Sequence, residues 1–396
     1  MHNNIKGQDK TLKSIVAFFI LFSLLFFLNC NNINKIKVKS IKIDSDKPTS
    51  LNVSLCEENI KIIDLSSIQT LIGNIDIIEL FNDYVILYDG KFRLFDLVSK
   101  KNITLANKGN GPNEYLSITS IKASKSGVYY TDRRKKTLSK VSFDGNPIFE
   151  IDINSNPSDF TLLNDSIVAF YHGSFPLLGK NYRISIFDIN KKTHCSLNIP
   201  YPKKHWNFLH FDDWNNFSNY NGNIILSYSG SNRIYTFDDV NNEFLPLMDF
   251  DFGAKSLTND ILDKDYDEVF NFAHIIDTKE IFCRVLSSYE TKNFIIFSTK
   301  VGSSWYIYTF NKTTQESYIY NSLGINNSTS LILNYDLIPK GYCNGYLLFI
   351  LEPINLMKNP QLLNILSSYN LINPDTITST SNPIIIMINE NSFSVN

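Results

Sequence analysis

A repeated dipeptide constrains the fold of this chain more than any other feature. Five times an apolar, strand-like run ends in an aromatic residue followed by Asp or Asn, and a sixth, weaker copy has Ile in place of the aromatic residue. Successive copies lie roughly 45 to 50 residues apart, apart from two longer intervals. The copies are Phe95-Asp96, Phe143-Asp144, Phe187-Asp188, Phe237-Asp238, Phe310-Asn311 and Ile388-Asn389. Strand repeats of this period predict an all-β fold, a six-bladed β-propeller with short helical insertions.

The last repeat lacks an evident fourth strand, so we expect a strand from near the N-terminus to complete it. Two segments, 37–43 and 57–64, have the alternating polar and apolar pattern of a half-buried strand. One of them is the candidate. The longer intervals between repeats contain predicted amphipathic helices, at 257–276 and 360–371.

The N-terminus has the pattern of an export signal. Three lysines precede an uncharged, apolar run from Ser14 to Asn29 that stops at Cys30. A transmembrane anchor is the alternative, but this run is shorter than the ~20 residues that span a bilayer. We therefore predict a signal peptide over 1–29, a tether and lead-in strand over 30–50, and the propeller over 51–396.

Composition narrows the choice of partner and compartment. Aromatic residues make up 13% of the chain and the formal net charge is −2, which favours strands and argues against a nucleic-acid partner. Apart from Cys30, four cysteines stand singly in separate repeats, and none forms a Cys-x-x-Cys pair. An exported chain can form disulfides, which is the alternative, but we expect Cys56, Cys195, Cys283 and Cys343 to be buried free thiols, and we predict no metal or cofactor.

Several motifs resemble those of one known family. The stretch 26–30, Phe-Phe-Leu-Asn-Cys, resembles the lipobox of bacterial lipoproteins, which implies lipidation at Cys30 and attachment to a membrane. The run 108–115, Lys-Gly-Asn-Gly-Pro-Asn-Glu-Tyr, and the Asn-Pro-apolar ending at 382–387 resemble motifs of the six-bladed β-propeller lipoproteins of Bacteroidota. The resemblance implies a fold and an exported, membrane-anchored location, and it leaves the activity open.

The glycine-rich run 108–115 has a structural and a functional interpretation. A phosphate-binding P-loop needs Lys-Ser/Thr after its last glycine and a helix beyond, whereas this run continues into a predicted strand. We interpret it as a connection between blades in which Gly109 and Gly111 allow positive φ and Glu114 hydrogen-bonds nearby backbone. Pro112 and Tyr115 complete the motif.

The richest cluster of chemically versatile side chains lies in the long connection between the third and fourth repeats. Imidazoles and carboxylates are metal ligands in general, and an exposed indole can stack on a sugar or a peptide. Packing against a neighbouring blade is the alternative interpretation. The candidate ligand-binding residues are His205, Trp206, His210, Asp212, Asp213 and Trp214.

Two classes of function remain open on the sequence. One is a binding module for a glycan, a peptide or an outer-membrane protein, with the ligand held where loops of several blades converge. The other is an exported hydrolase or lyase acting on a polysaccharide, with carboxylates such as Asp132, Asp212 or Asp213 as acid and base. A carboxylate pair facing the central channel would favour the enzyme, and an aromatic, charge-poor face would favour the binding module.

Overall fold

A computed structural model describes residues 38–44, 48–53, 59–65, 70–173, 177, 179–201, 215–262, 264, 269–282, 285–325, 329–334, 337–369 and 371–392. The residues from Lys39 to Asn396 form one compact unit. Within the described part of this unit, strands dominate and form six sheets, the blades of a propeller, each built on four antiparallel strands. No helix in those ranges is long and apolar enough to span a membrane.

The strands are numbered along the chain. Those near the N-terminus are β1 (Lys39–Lys42), β2 (Thr49–Val53) and β3 (Ile60–Asp64). Blade 1 contains β4 (Ile77–Phe81), β5 (Tyr84–Tyr88), β6 (Phe92–Asp96) and β7 (Asn102–Ala106). Blade 2 contains β8 (Ile118–Ser124), β9 (Gly127–Asp132), β10 (Thr137–Val141) and β11 (Pro147–Asp152). Blade 3 contains β12 (Asp159–Leu162), β13 (Ile167–Tyr171), β14 (Tyr182–Asp188) and β15 (Thr193–Pro200).

Blade 4 contains β16 (Phe217–Tyr220), β17 (Asn223–Leu226), β18 (Arg233–Asp238) and β19 (Glu243–Asp251). Blade 5 contains β20 (Ser287–Glu290), β21 (Phe294–Val301), β22 (Ser304–Asn311) and β23 (Ser317–Ile325), with β24 (Thr329–Ile332) beside β23. Blade 6 contains β25 (Gly341–Cys343), β26 (Tyr346–Leu351) and β27 (Ile384–Asn389), and it takes β3 as its fourth strand.

Short helices lie in two connections, as the sequence predicted. Those between blades 4 and 5 are α1 (Asn259–Leu262) and α2 (Val269–Thr278), and those inside blade 6 are α3 (Pro353–Met357) and α4 (Pro360–Ser368). Single 3-10 turns occupy Gly253–Lys255, Pro374–Thr376 and Glu390–Ser392.

The N-terminal strands lie on the outer edges of blades 4, 5 and 6 in turn. β3 pairs antiparallel with β27, with Ile63 opposite Ile385, and so closes the ring between the two ends of the chain. The prediction that an N-terminal strand completes the last blade is confirmed, and the strand is the second of the two candidate segments. The first candidate also forms a strand, β1, but β1 pairs parallel with β19 of blade 4, and β2 pairs parallel with β23 of blade 5.

The repeated dipeptide marks the end of the third strand of the blade. In blade 1, the Oδ1 atom of Asp96 accepts hydrogen bonds from the backbone amides of Val98 at 2.9 Å and Ser99 at 3.0 Å. Asp238 and Asn311 accept from amides two residues later in the same way. Such Asx turns let the chain reverse into the outer strand. Blade 2 differs because β10 ends three residues before Asp144, and Ser142 closes that turn instead.

The apolar core is divided among the interfaces between blades. Six clusters of buried apolar side chains lie one at each junction around the ring. Between blades 1 and 2, for example, Phe92 packs edge-on against Tyr130, with ring centroids 5.0 Å apart. Fully burying one such ring contributes about 1.5 to 3 kcal/mol, so each interface is a substantial part of the stability.

The alternation of strand directions gives the ring two different faces. The turns between second and third strands and the connections between blades lie at one end of the ring, which we call the crossover face. The remaining hairpin turns lie at the other end, the hairpin face. The helical insertions and the glycine-rich run all belong to the crossover face. β1 runs parallel to the outer strand of blade 4, so the chain enters the propeller at the hairpin face.

Candidate site in the central channel

A cavity of about 160 Å³ lies on the ring axis, and residues from all six blades line it. The first strand of each blade is the innermost one; β4 contacts β8, β8 contacts β12, β12 contacts β16, β16 contacts β20, and β25 contacts β4. Asp76, just before β4, is exposed and lines the cavity on the crossover side. The innermost strands carry polar side chains here, and these converge only because the ring is closed.

Asp159, the first residue of β12, links three blades. Its Oδ1 atom accepts from the Ser120 hydroxyl at 2.6 Å, and its Oδ2 atom accepts from the backbone amide of Asn216 at 2.9 Å. The amides of Phe160 and Phe217 also donate to this carboxylate. With four donors and a side chain only 5% exposed, Asp159 has a structural role, because a buried carboxylate is stable only when its oxygens are hydrogen-bonded.

Lys122 and Glu79 are the two charged side chains beside Asp159. The Lys122 ammonium donates to Asn215 Oδ1 at 3.2 Å and lies 3.9 Å from Asp159 Oδ1. Burial alone would lower the pKa of Lys122, but the carboxylates of Asp159 and Glu79 outweigh burial and raise it. Burial raises the pKa of Glu79, and Lys122 and the Ala123 amide only partly oppose this. The channel therefore holds a fixed ammonium beside a partly desolvated carboxylate.

This arrangement suits recognition better than acid–base catalysis. Of the two carboxylates beside Lys122, Asp159 is fully engaged, so the pair does not offer a free acid and a free base. No group of three or more potential metal-binding side chains occurs in the described ranges. The channel is also not the aromatic, charge-poor surface that would by itself indicate a binding module. The channel instead presents a hydrogen-bond donor, the Lys122 ammonium, beside an acceptor, the Glu79 carboxylate.

The candidate ligand-binding residues of the connection between blades 3 and 4 lie outside the described residues. These are His205, Trp206, His210, Asp212, Asp213 and Trp214, and their assignment stays a prediction. Of the flanking residues that are described, Asn215 lines the axial cavity. Cys30, Cys56 and Cys283 lie outside the described ranges as well.

Asp132 is not available as a catalytic carboxylate. It is 1% exposed and ends strand β9. Its oxygens accept from the backbone amides of Leu116, Arg134 and Lys135. These bonds hold the turn after β9 against the connection that leads into blade 2. The role suggested for Asp132 as an acid or base is therefore wrong.

The glycine-rich run joins blade 1 to blade 2, but its glycines serve a purpose different from the predicted one. Neither Gly109 nor Gly111 has a φ in the left-handed region, which Asn113 adopts instead, at 61°. The glycines are needed because a Cβ atom on Gly109 would lie 2.1 Å from Glu114 Oε2. The predicted hydrogen bond of Glu114 to nearby backbone is confirmed, since its Oε2 accepts from the Gly111 amide at 2.7 Å.

Tyr115 and Lys135 hold this run against the two blades. The Tyr115 hydroxyl donates to the Gly90 carbonyl at 3.2 Å, and its ring is buried between blades 1 and 2. The Lys135 ammonium donates to the Glu114 carbonyl at 2.9 Å and to Glu150 Oε2 at 2.7 Å. The run, including Pro112, is thus a structural connection.

Two of the four remaining cysteines are described, and both are free thiols. Cys343 is half-buried, and burial raises the pKa of its thiol to about 11. Cys195 is exposed, so the prediction that it is buried is wrong. It lies on β15, the outermost strand of blade 3 in the described part of the chain.

Sequence reasoning missed Glu79, Lys122 and Asp159. Each is a charged residue in or at the start of an innermost strand, and the three are 43 and 37 positions apart. A charged residue in the first strand of successive repeats was the available signal, because that strand is the one that faces the channel.

Comparison with known proteins supports the fold. A family model described as a domain of unknown function, DUF4934, matches residues 36–389. A solved structure of a Bacteroides fragilis protein, whose given name marks it as exported, shares 14% identity with a TM-score of 0.65, covering 89% of this chain and 99% of that one. A search of curated proteins finds no match.

Two further solved structures are less similar. A member of the DUF4221 family from Bacteroides vulgatus shares 10% identity with a TM-score of 0.45, over 84% of this chain and 98% of that one. The extracellular domain of a hybrid two-component system protein from B. thetaiotaomicron shares 9% identity with a TM-score of 0.45, over 88% of this chain and 40% of that one.

Proposed function

Because the chain belongs to the DUF4934 family, whose function is unknown, we propose a function from the geometry: a non-catalytic binding module that is exported and held at the cell envelope. Its ligand is a glycan, a peptide or a partner protein, and it binds at the crossover face and the channel behind it. The exported relative from B. fragilis supports export, and the resemblance of 26–30 to a lipobox supports an anchor at Cys30.

One observation carries the proposal. In the described ranges, the connections between blades, with helices α1 and α2, and the insertion of blade 6, with helices α3 and α4, lie on the same face as the exposed Asp76 that lines the cavity. Recognition surfaces are usually built from loops on a rigid scaffold. The first strand of the propeller, β1, begins at the hairpin face, away from the crossover face.

The exported hydrolase or lyase is the less favoured function. Glycoside hydrolysis requires two carboxylates with distinct roles flanking the bond that breaks. Asp132 and Asp159 both have their oxygens engaged by several donors. Asp212 and Asp213 stay the candidate acid and base for this alternative function.

Arrays of glycans and of peptides, probed with the purified full-length chain, test the proposal. We expect specific retention on one ligand class without chemical change of the ligand. Replacement of Trp206 and Trp214 together by Ala should weaken that retention by on the order of 1 to 3 kcal/mol for each lost anchor. Phe143→Ala, which removes a ring stacked on Tyr84, is the packing control.

Two results would contradict the proposal. Release of shortened glycan products would favour the enzyme. If the tryptophan double variant loses as much melting temperature as Phe143→Ala, the two indoles are structural, and the 205–214 connection should be removed from the proposed site.

A further inference from the structure

We infer that the axial cavity binds a single neutral sugar ring, with one ligand hydroxyl donating to Glu79 and another accepting from Lys122. The inference rests on the proposed binding function and specifies its ligand class. Both side chains line the cavity, and they come from adjacent blades, on β4 and β8.

The first argument is unused hydrogen-bonding capacity. An ammonium group has three donors, and that of Lys122 makes one described hydrogen bond, to Asn215 at 3.2 Å. Asp159 at 3.9 Å supplies charge without a hydrogen bond. The Glu79 carboxylate accepts one described hydrogen bond, from the Ala123 amide at a long 3.4 Å. A pair of neighbouring hydroxyls can donate to the one group and accept from the other.

The second argument is charge. The cavity lining includes three carboxylates, Asp76, Glu79 and Asp159, and two lysines, Lys122 and Lys340. The excess of negative charge disfavours uronic acids and other anions. A ligand ammonium would in turn meet the Lys122 ammonium, which already lies beside the two inner carboxylates. A neutral ligand avoids both conflicts.

The third argument is shape. Tyr342 and several aliphatic residues are among those that line the cavity. Such walls suit the apolar C–H face of a sugar, and polar groups then fix its orientation. Since pockets for drug-sized ligands measure about 300 Å³ or more, a cavity of about 160 Å³ suits one terminal ring and excludes a run of several.

Calorimetric titration of the full-length chain tests the inference. The probes are glucose, galactose, mannose and N-acetylglucosamine, with glucuronate as the anionic comparator and ethylamine as the cationic one. We expect at least one neutral sugar to bind, and both comparators to bind at least about tenfold more weakly. Glu79→Gln and Lys122→Met should each weaken the sugar at least about tenfold, as expected for hydrogen bonds to charged groups. Lys279→Met, at an exposed helix end, should change nothing.

Three outcomes would overturn the inference: no neutral sugar binds, ethylamine or glucuronate binds more tightly than every sugar, or the Glu79→Gln variant binds sugar unchanged. Glu79→Gln keeps the shape of the side chain, so it decides the question if Lys122→Met lowers the melting temperature. If a glycan or peptide found on the arrays still binds Glu79→Gln with full affinity, this inference fails while the proposed function stands. Blank arrays would exclude a glycan or a peptide as the ligand and leave only the partner protein of the proposed function.

Discussion

A buried pair of histidines in blade 3 predicts that the propeller loses stability in mild acid. His194 Nε2 lies 3.0 Å from the Ile153 carbonyl, which can only accept, so this nitrogen carries the proton. His194 Nδ1 then accepts from the Ser185 hydroxyl at 2.9 Å, and that hydroxyl accepts from His172 Nε2 at 2.7 Å. These directions hold with both imidazoles neutral, and the second nitrogen of His172, Nδ1, is buried and has no hydrogen-bond partner among the described residues.

The pKa values have the direction this arrangement requires. Burial, followed by the neighbouring His194, lowers the pKa of His172 to about 3. Burial also lowers the pKa of His194, although its bond to Ile153 opposes the change. As the pH falls below the ordinary histidine pKa of about 6.5, these histidines become protonated in the unfolded chain but stay neutral in the folded chain. The stabilising contribution is thus complete above about pH 7.5 and declines toward about pH 3.

The magnitude follows from the difference between the two pKa values. Between about pH 8 and about pH 5, His172 alone should reduce the free energy of unfolding by about 2 kcal/mol. The assay is denaturant unfolding at both pH values, for the parent chain and for His172→Gln. We expect the variant to lose about 2 kcal/mol less than the parent over the same interval.

The comparison is made within each variant, so a general loss of stability in His172→Gln cancels. His274→Gln is the matched control, because His274 lies exposed on α2 and should leave the pH dependence of the parent unchanged. If His172→Gln shows the same loss between the two pH values as the parent, a neutral, buried His172 is not the cause and the reasoning is refuted.

Three other predictions follow from the chain and its fold. Cys30→Ser should abolish labelling by a fatty acid analogue and release the protein from the membrane; equal labelling of the variant and the parent would refute lipidation at this position. Ile63→Asp places a carboxylate in the apolar core at the ring closure and should cost several kcal/mol, whereas Lys61→Ser, at an exposed position two residues earlier in the same strand, should cost little; equal melting temperatures would contradict closure by β3. Gly109→Ala forces Glu114 away from the Gly111 amide and should lower the free energy of unfolding by about 1 to 3 kcal/mol. Gly302→Ala is the control, because its added Cβ atom meets no neighbour and only the strain of its positive φ remains. A smaller loss of stability in Gly109→Ala than in Gly302→Ala would contradict the role assigned to Glu114.

The architecture was predictable because its signals are local. The aromatic residue of the repeat packs between blades, and the following Asp or Asn caps a turn within three residues. Each copy of the repeat can therefore be recognised from the local sequence alone. The identity of the closing strand was less predictable. β1 and β3 have the same alternating pattern, and only the register against β27 distinguishes them.

The channel residues were not predictable in the same way, because they are brought together only by closure of the ring. Glu79, Lys122 and Asp159 belong to three blades, and they lie 43 and 37 positions apart in the sequence. The glycines of the 108–115 run were misjudged for a related reason. Their requirement comes from where the Glu114 carboxylate lies, which a pattern of residue types does not reveal.

The most direct test of the proposed function is hydrogen–deuterium exchange of the full-length chain, with and without the ligand that binds most tightly on the arrays. We expect protection in the crossover-face connection at 107–117 and in the innermost strands that contain Glu79 and Lys122, with the hairpin-face turns at 97–101 and 239–242 unchanged. Protection at those hairpin-face turns, with the crossover face unchanged, would contradict the account.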